Sequence, residues 1–331
     1  MPAQLDREYL RYGFLRVLRR MLSYLMEGRP LTTRGRWFNK ILFLFYRIIR
    51  IIPVGDGKIN SPVFIVGTGR SGTTILGKVL SIHKDIGFLN EPKAMWHSVF
   101  PNEDVSGNFS RKESHFRLTG KDASNKTIRS ARRLFGFYKA ITCSRLIVDK
   151  FPEMIFRVEF IKRIFPDAKF ILLVRNGWDV SLSIETWSQK YGKVSRGNVT
   201  DWWGTNNRKW ILMVDQLIRG STDLGPVYQQ LEKIQTQRDR AAVEWVVTMR
   251  EGLTKKSMFP DDVIIVKFED LVNNPNENIT NILKFSGLGT DEKVFQYAEK
   301  IFRPVTRKER FNMHEVISPH FSEVMKELGY D

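Results

Sequence analysis

The sequence predicts an α/β fold: a P-loop-type parallel sheet flanked by helices, with a helical insertion near 188–255 and a basic amphipathic helical extension at 1–60. Three observations carry this. Short, wholly apolar runs alternate with helix-period segments, the pattern of a parallel sheet covered on both faces. A glycine-rich turn joins the first of those runs to a helix. Residues 1–60 hold 12 basic and 4 acidic residues, a net of +8, and differ in periodicity from the rest of the chain.

The extension comes first. Phe14, Leu18, Met21, Leu22 and Leu25 fall on one helical face, with Arg16, Arg19 and Arg20 interleaved. In a second stretch, 36–52, the cations Arg36, Lys40, Arg47 and Arg50 sit within about 80° of each other at 100° per residue. Its longest apolar run is 41–46, far short of the roughly 20 residues a membrane span needs. The expectation is a helix lying on a membrane surface through residues 14–52, or docked on its own domain. No small-residue cleavage site follows the apolar run, so no cleavable signal is expected.

From residue 61 to 331 the pattern is that of one α/β domain. Val63, Phe64, Ile65 and Val66 form the first strand, a turn runs from Gly67 to Gly72, and a helix occupies 73–82. Further strands are expected at 146–148, 170–174 and 263–266. Helices follow them at 154–165, at 178–187 and through Leu283 and Phe295. Segment 87–90 reads as a turn, and 188–255 as a mostly helical, Trp-rich insertion over the sheet edge.

Composition narrows the function. With 23 Phe and 8 Trp the chain is not disordered. A single cysteine, Cys143, excludes an internal disulfide framework and any multi-thiolate zinc site. Four N-x-S/T triplets, at Asn108, Asn125, Asn198 and Asn278, are only a faint secretory signal. A net charge of +17 suits an anionic partner, whether nucleic acid, phospholipid or a phosphate-rich small molecule.

The turn Gly67-Thr68-Gly69-Arg70-Ser71-Gly72-Thr73-Thr74 follows a strand and opens a helix, the context of a phosphate-binding loop. Gly67-x4-Gly72 has Walker A spacing, yet Thr73 stands where a nucleotide-phosphate lysine belongs. That weakens a P-loop kinase-like phosphotransferase, the nearest rival, which Asp149 at a strand end otherwise imitates. A basic membrane- or nucleic-acid-binding module is the rival of a different class.

Arg70-Ser71-Gly72-Thr73-Thr74 resembles the 5′-phosphosulfate loop of sulfotransferases that use 3′-phosphoadenosine-5′-phosphosulfate (PAPS). Arginine at position 70 is similar to tyrosylprotein and many bacterial members. Arg175 at a strand end, with Ser183 eight residues on, resembles the family's 3′-phosphate motif. A guanidinium fork and a hydroxyl suit a dianion; an Arg175–Asp179 pair with a solvent-facing serine is the alternative. Asp149-Lys150-Phe151-Pro152 and Val266-Lys267-Phe268-Glu269-Asp270-Leu271 resemble two further family segments. Phe268 stands where the family has tyrosine, and Trp187 where the tyrosylprotein enzymes have arginine. The paired cysteines of those enzymes are absent, which points to a bacterial-type enzyme with another hydroxyl acceptor.

The resemblance implies roles. Glu91 is the expected general base, placed at the strand rim because Pro92 forbids a continuing helix; Asp85 and Glu103 are its fallbacks. Arg70 and Lys150 would meet charge on the sulfuryl group and the leaving phosphate. Ser71, Gly72, Thr73 and Thr74 would donate to the 5′-phosphate, and Arg303 and Thr306 would belong to a closing C-terminal loop. The expected partners are PAPS, with adenosine 3′,5′-bisphosphate as product, and a hydroxyl-bearing acceptor, without nucleic acid. No metal is expected, because His83, His97, His115, His314 and His320 form no ligand set. Trp202, Trp203 and Trp210 are read as insertion core rather than a sugar platform. The expected location is cytoplasmic, peripheral at the inner membrane face, with the Golgi lumen as the eukaryotic alternative.

Overall fold

A computed structural model describes residues 5–28, 37–52, 61–110, 112–195, 197–304 and 309–330. Four short N-terminal helices come first: α1 (Arg7–Leu10), α2 (Phe14–Leu22), α3 (Tyr24–Glu27) and α4 (Phe38–Ile51). Then follow β1 (Val63–Gly67), α5 (Thr73–Leu80), β2 (Ile86–Asn90), α6 (Lys93–Val99), α7 (Asn125–Ile141), β3 (Leu146–Lys150), α8 (Val158–Ile164), β4 (Lys169–Val174) and α9 (Gly177–Tyr191). Three short strands, β5 (Lys193–Ser195), β6 (Asn198–Asp201) and β7 (Gly204–Thr205), lead into α10 (Arg208–Met213), α11 (Tyr228–Glu232) and α12 (Gln237–Met258). The chain closes with β8 (Val263–Lys267), α13 (Phe268–Asn273), α14 (Pro275–Phe285), α15 (Glu292–Ile301) and α16 (Ser318–Glu327).

The main sheet has five strands in the order β2-β3-β1-β4-β8, all pairings parallel. Alternation along each strand divides its side chains between two cores. Phe64, Val66, Phe170, Leu172 and Val174 face α7, α8, α9 and α12. Val63, Ile65, Ile171 and Leu173 face α5, α14 and α15. The C-terminal ends of β1, β3 and β4 therefore meet at one rim, where α/β ligands bind.

Three expectations need correction. Segment 87–90 is not a turn but most of β2, the edge strand. Gly87 is there for space: a Cβ would lie 2.6 Å from Ser144 Oγ. The 154–165 helix is a 3₁₀ stretch, Pro152–Arg157, followed by the short α8. The 188–255 insertion is mostly helical, as read, but it is not merely a cover over the sheet edge. It opens with an antiparallel three-stranded sheet, and α12 packs on α9, β1 and β8 as part of the crossover from β4 to β8. A parallel pair cannot be joined without such a crossover, so this helix belongs to the sheet layer.

The N-terminal helices cover the open edge of β2, which would otherwise invite strand pairing. Glu27 Oε1 accepts from the Asn90 amide at 3.2 Å, and Arg20 reaches the Phe88 carbonyl at 3.4 Å. Tyr9 and Tyr12 enter one core and Met26, Leu42, Tyr46 and Ile49 the other. The face toward the domain is thus docked, while much of the opposite face is exposed.

Candidate active site

The glycine-rich turn leaves β1 in a conformation few residues accept. Gly67 has φ +136 and Gly72 φ +95, and Arg70 holds φ +72 despite its side chain. A non-glycine residue in this region is a strained position of the kind found at binding sites. The glycines serve contacts as well as curvature. A Cβ on Gly67 would strike the Leu173 carbonyl, on Gly69 the Trp202 indole, and on Gly72 the Phe268 ring. Two aromatic side chains therefore brace the loop from outside. Phe268, lacking the family hydroxyl, still supports the turn.

The loop holds unspent polar groups. Ser71 Oγ and Thr68 Oγ1 are buried without a hydrogen-bond partner, an arrangement that costs free energy unless something else completes it. Thr73 is buried and Thr74 half-buried at the start of α5, where the first amides of the helix are free to donate.

Arg70, Arg175 and Ser183 converge on this loop. Arg70 Nε donates to Ser183 Oγ at 3.1 Å, and Arg175 Nη1 reaches the Arg70 carbonyl at 3.5 Å. Burial and the neighbouring Arg175 cation both lower the pKa of Arg70. Two cations near enough for one to lower the pKa of the other make a site that an anion would stabilise. Arg175 does make the Asp179 pair, Nη2 to Oδ2 at 3.2 Å, while its buried Nε has no partner. Its guanidinium stacks on Phe268, 4.8 Å from the ring centroid. The strand end is held by buried Trp245, whose Nε1 donates to the Arg175 carbonyl at 3.0 Å, and by Glu269, which accepts from the Asn176 amide at 3.0 Å.

The neighbouring rim, at the ends of β2 and β3, is built differently. Glu91 sits just past β2 at φ +51, fixed by its amide donating to the Lys150 carbonyl at 2.7 Å. Its carboxylate forms an ion pair with Lys150 and lies 3.6 Å from Lys93 Nζ. Lys150 therefore pairs with Glu91 rather than with its sequence neighbours Asp149 and Glu153. Burial alone would raise the Glu91 carboxyl, but Lys150, Lys93 and Lys209 outweigh it and hold the group down to about 2. Glu153 lies 4.0 Å from Lys93 and 3.9 Å from Lys209, and Lys209 Nζ pairs with Glu244 at 2.5 Å. Glu244 in turn accepts from Trp202 Nε1 at 2.6 Å, so the charge network runs back to the indole that braces the loop.

Asp149 takes no part in that network. It is fully buried, accepts from Trp96 Nε1 at 2.8 Å, and is pushed up to about 8 by burial. A neutral carboxyl facing an indole is a poor cation ligand, which counts against the metal-holding strand end of a kinase. Among the described residues no group of three or more His, Cys, Asp or Glu is placed to hold a metal ion.

Other expected site residues fall elsewhere. Glu103 is buried against Arg157, Nη1 to Oε2 at 2.9 Å, and helps to raise the pKa of Lys93. Asp85 precedes β2, at the opposite end of the strand from Glu91. Arg303 is exposed and donates to the Lys300 carbonyl at 3.4 Å, and Thr306 lies outside the described residues. Trp203 and Trp210 are core, as read, but Trp202 is half-buried against Gly69 and meets Trp187 edge-on at 5.3 Å. Lys93, Glu153, Lys209 and Glu244 were missed. Only Lys93, two residues beyond Glu91, carried a local signal.

A model of the sulfotransferase family matches residues 62–292. The nodulation protein NoeE of Sinorhizobium fredii is 27% identical over 130 residues, covering 38% of this chain and 31% of that protein. The aligned stretch thus spans about a third of that relative's own length. Among solved structures, sulfotransferase STF9 from Mycobacterium avium gives a TM-score of 0.50 at 12% identity, covering 96% of this chain and 92% of its own. The sulfotransferase domain from the curacin biosynthetic pathway gives 0.49 at 15% identity, covering 83% and 99%. At such identities the STF9 likeness is one of fold.

Proposed function

The chain belongs to the sulfotransferase family, and on that premise we propose that it moves a sulfuryl group from PAPS to an acceptor hydroxyl, with Glu91 as the general base. The observation that carries this is the rim at β1 and β4: two neighbouring arginines, two orphaned hydroxyls and a helix N-terminus, all around one loop. The donor fits that chemistry, since it presents a 5′-phosphosulfate and a 3′-phosphate. Ser71, Gly72, Thr73 and Thr74 would hold the first, and Arg175 with Ser183 the second.

In transfer, the acceptor oxygen bonds to sulfur while the sulfur–oxygen bond to the 5′-phosphate breaks. The acceptor proton goes to Glu91, and the electron pair of the broken bond stays on the phosphate. Arg70 and Lys150 meet that charge; an always-charged guanidinium stabilises it electrostatically. In the structure Lys150 is engaged with Glu91, which leaves that carboxylate a weak base. Our reading is that an anionic donor draws Lys150 away, so that Glu91 rises toward the ordinary carboxylate range only when the sulfuryl group is in place. A base so gated would not waste the donor on water.

Thermal stabilisation tests the reading. Adenosine 3′,5′-bisphosphate should raise the melting temperature and ADP should not, since only the former has a 3′-phosphate. An equal response to ADP would overturn it, and a magnesium requirement would revive the kinase alternative. The compartment is part of this proposal too: cytoplasmic, with no helix of the described residues long and apolar enough to cross a membrane.

A further inference from the structure

The helix α2 docks with its polar side inward. Arg16 bonds the Ile82 carbonyl and lies 3.1 Å from Asp291. Arg19 reaches the carbonyls of Lys84 and Cys143. Arg20 is buried between Glu27, at 2.8 Å, and the Phe88 ring. Phe14, Leu15, Leu18 and Met21 are left facing outward, Phe14 with 76% of its surface exposed.

The helix α4 adds a second stripe. It buries Leu42, Tyr46 and Ile49 and exposes Trp37, Ile41, Leu44, Ile48 and Ile51, one per turn. Eleven of the seventeen exposed large apolar side chains among the described residues lie before residue 53, so these are patches and not the scatter normal to a surface. Charge identifies the occupant. Between Glu27 and Asp56 there are six basic residues and no acidic one. At about 100° per residue, Lys40 and Arg47, both exposed, fall along the border of the α4 stripe. Apolar side chains rimmed by cations match an anionic lipid interface, with acyl chains beneath a layer of phosphates.

We propose that the exposed stripes of α2 and α4 dock this protein on an anionic phospholipid surface as a monotopic anchor. At 14 residues α4 is about 21 Å long and cannot cross a bilayer. Between the two stripes, α3 is tied to the strand that ends beside Glu91 through the Glu27–Asn90 hydrogen bond.

Flotation of the full chain with vesicles tests this. Phosphatidylcholine vesicles containing phosphatidylglycerol should carry it, pure phosphatidylcholine should carry at least tenfold less, and high salt should weaken the binding. The triple variants Phe14→Ser/Leu18→Ser/Met21→Ser and Ile41→Ser/Leu44→Ser/Ile48→Ser should each reduce flotation tenfold or more. They change exposed positions, so their melting temperatures and their response to adenosine 3′,5′-bisphosphate should match the parent. Failure of the parent to float on the anionic vesicles, or parental flotation by both variants, overturns the anchor. So does a dimer in solution that the variants dissociate, because the stripes would then cover each other. Loss of the nucleotide response in the parent bears on the proposed activity and not on the anchor.

Discussion

Two corners of the same rim, one on β1 and β4 and the other on β2 and β3, are both rich in charge and arranged oppositely. Around the loop, Arg175 reaches the Arg70 carbonyl, and Ser71 Oγ, Thr68 Oγ1 and Arg175 Nε lack partners. Around Glu91, carboxylates and ammonium groups alternate: Lys150, Lys93, Glu153, Lys209 and Glu244. The first corner stores an unmet demand for negative charge. The second satisfies itself, and its base rests in a weakly basic form. The difference teaches that unpartnered polar groups and a closed ion-pair network can share one rim, and under the proposed function the first would bind the donor and the second would move the proton.

The sharpest way to break that division is Glu91→Ala. Turnover should fall by about 10²–10⁴-fold while stabilisation by adenosine 3′,5′-bisphosphate persists. Unchanged turnover removes Glu91 from the chemistry. Lys150→Met follows, with an expected loss of about 10²–10³-fold. It also carries a pH signature. In the parent, kcat/KM should stay flat as pH falls well below the ordinary carboxylate value of 4.5, because Glu91 in the free enzyme titrates at about 2. Without Lys150 only Lys93 and Lys209 are left to oppose burial, and the acid limb should move upward. An unmoved limb would mean that Lys150 does not control the base.

Arg175→Ala tests the other corner. It should weaken nucleotides bearing a 3′-phosphate by roughly tenfold to a hundredfold, the range for a charged hydrogen bond, and spare those lacking one. Equal weakening would assign Arg175 to another part of the donor. The smallest effect on turnover is expected from Asp149→Asn, which keeps the acceptor for Trp96 Nε1. Its effect is on stability. The unfolded chain gives up the Asp149 proton near 3.8, the folded chain near 8. Between those limits the folded form holds the extra proton, so this group's contribution to the parent's stability falls as pH rises. Asp149→Asn should flatten that slope in urea titrations, and a slope unchanged would mean the carboxyl is ionised in the fold.

The binding corner was legible in the chain because its parts are local. The loop is one continuous segment marked by its glycines, while Arg175 at the end of an apolar run and Ser183 two turns along the next helix were picked out by their resemblance to a family motif of fixed spacing. Glu91 was found through Pro92 and the family likeness, although its strand was read as a turn. Gly87 imitates turn chemistry while serving a contact with Ser144, and nothing adjacent in sequence reveals that contact.

What the sequence determined by itself was the alternation of strands and helices, the anion loop and the charge asymmetry of the first 60 residues, since each depends on neighbours within a few positions. Tertiary structure alone decided that Trp202 and Phe268 brace the loop, that Lys150 turns to Glu91 rather than Glu153, and that α2 points its arginines inward. Those choices depend on groups brought together from distant segments. Burial and Coulomb energy act through space, and a linear chain carries no record of which of several available partners the fold will place within reach.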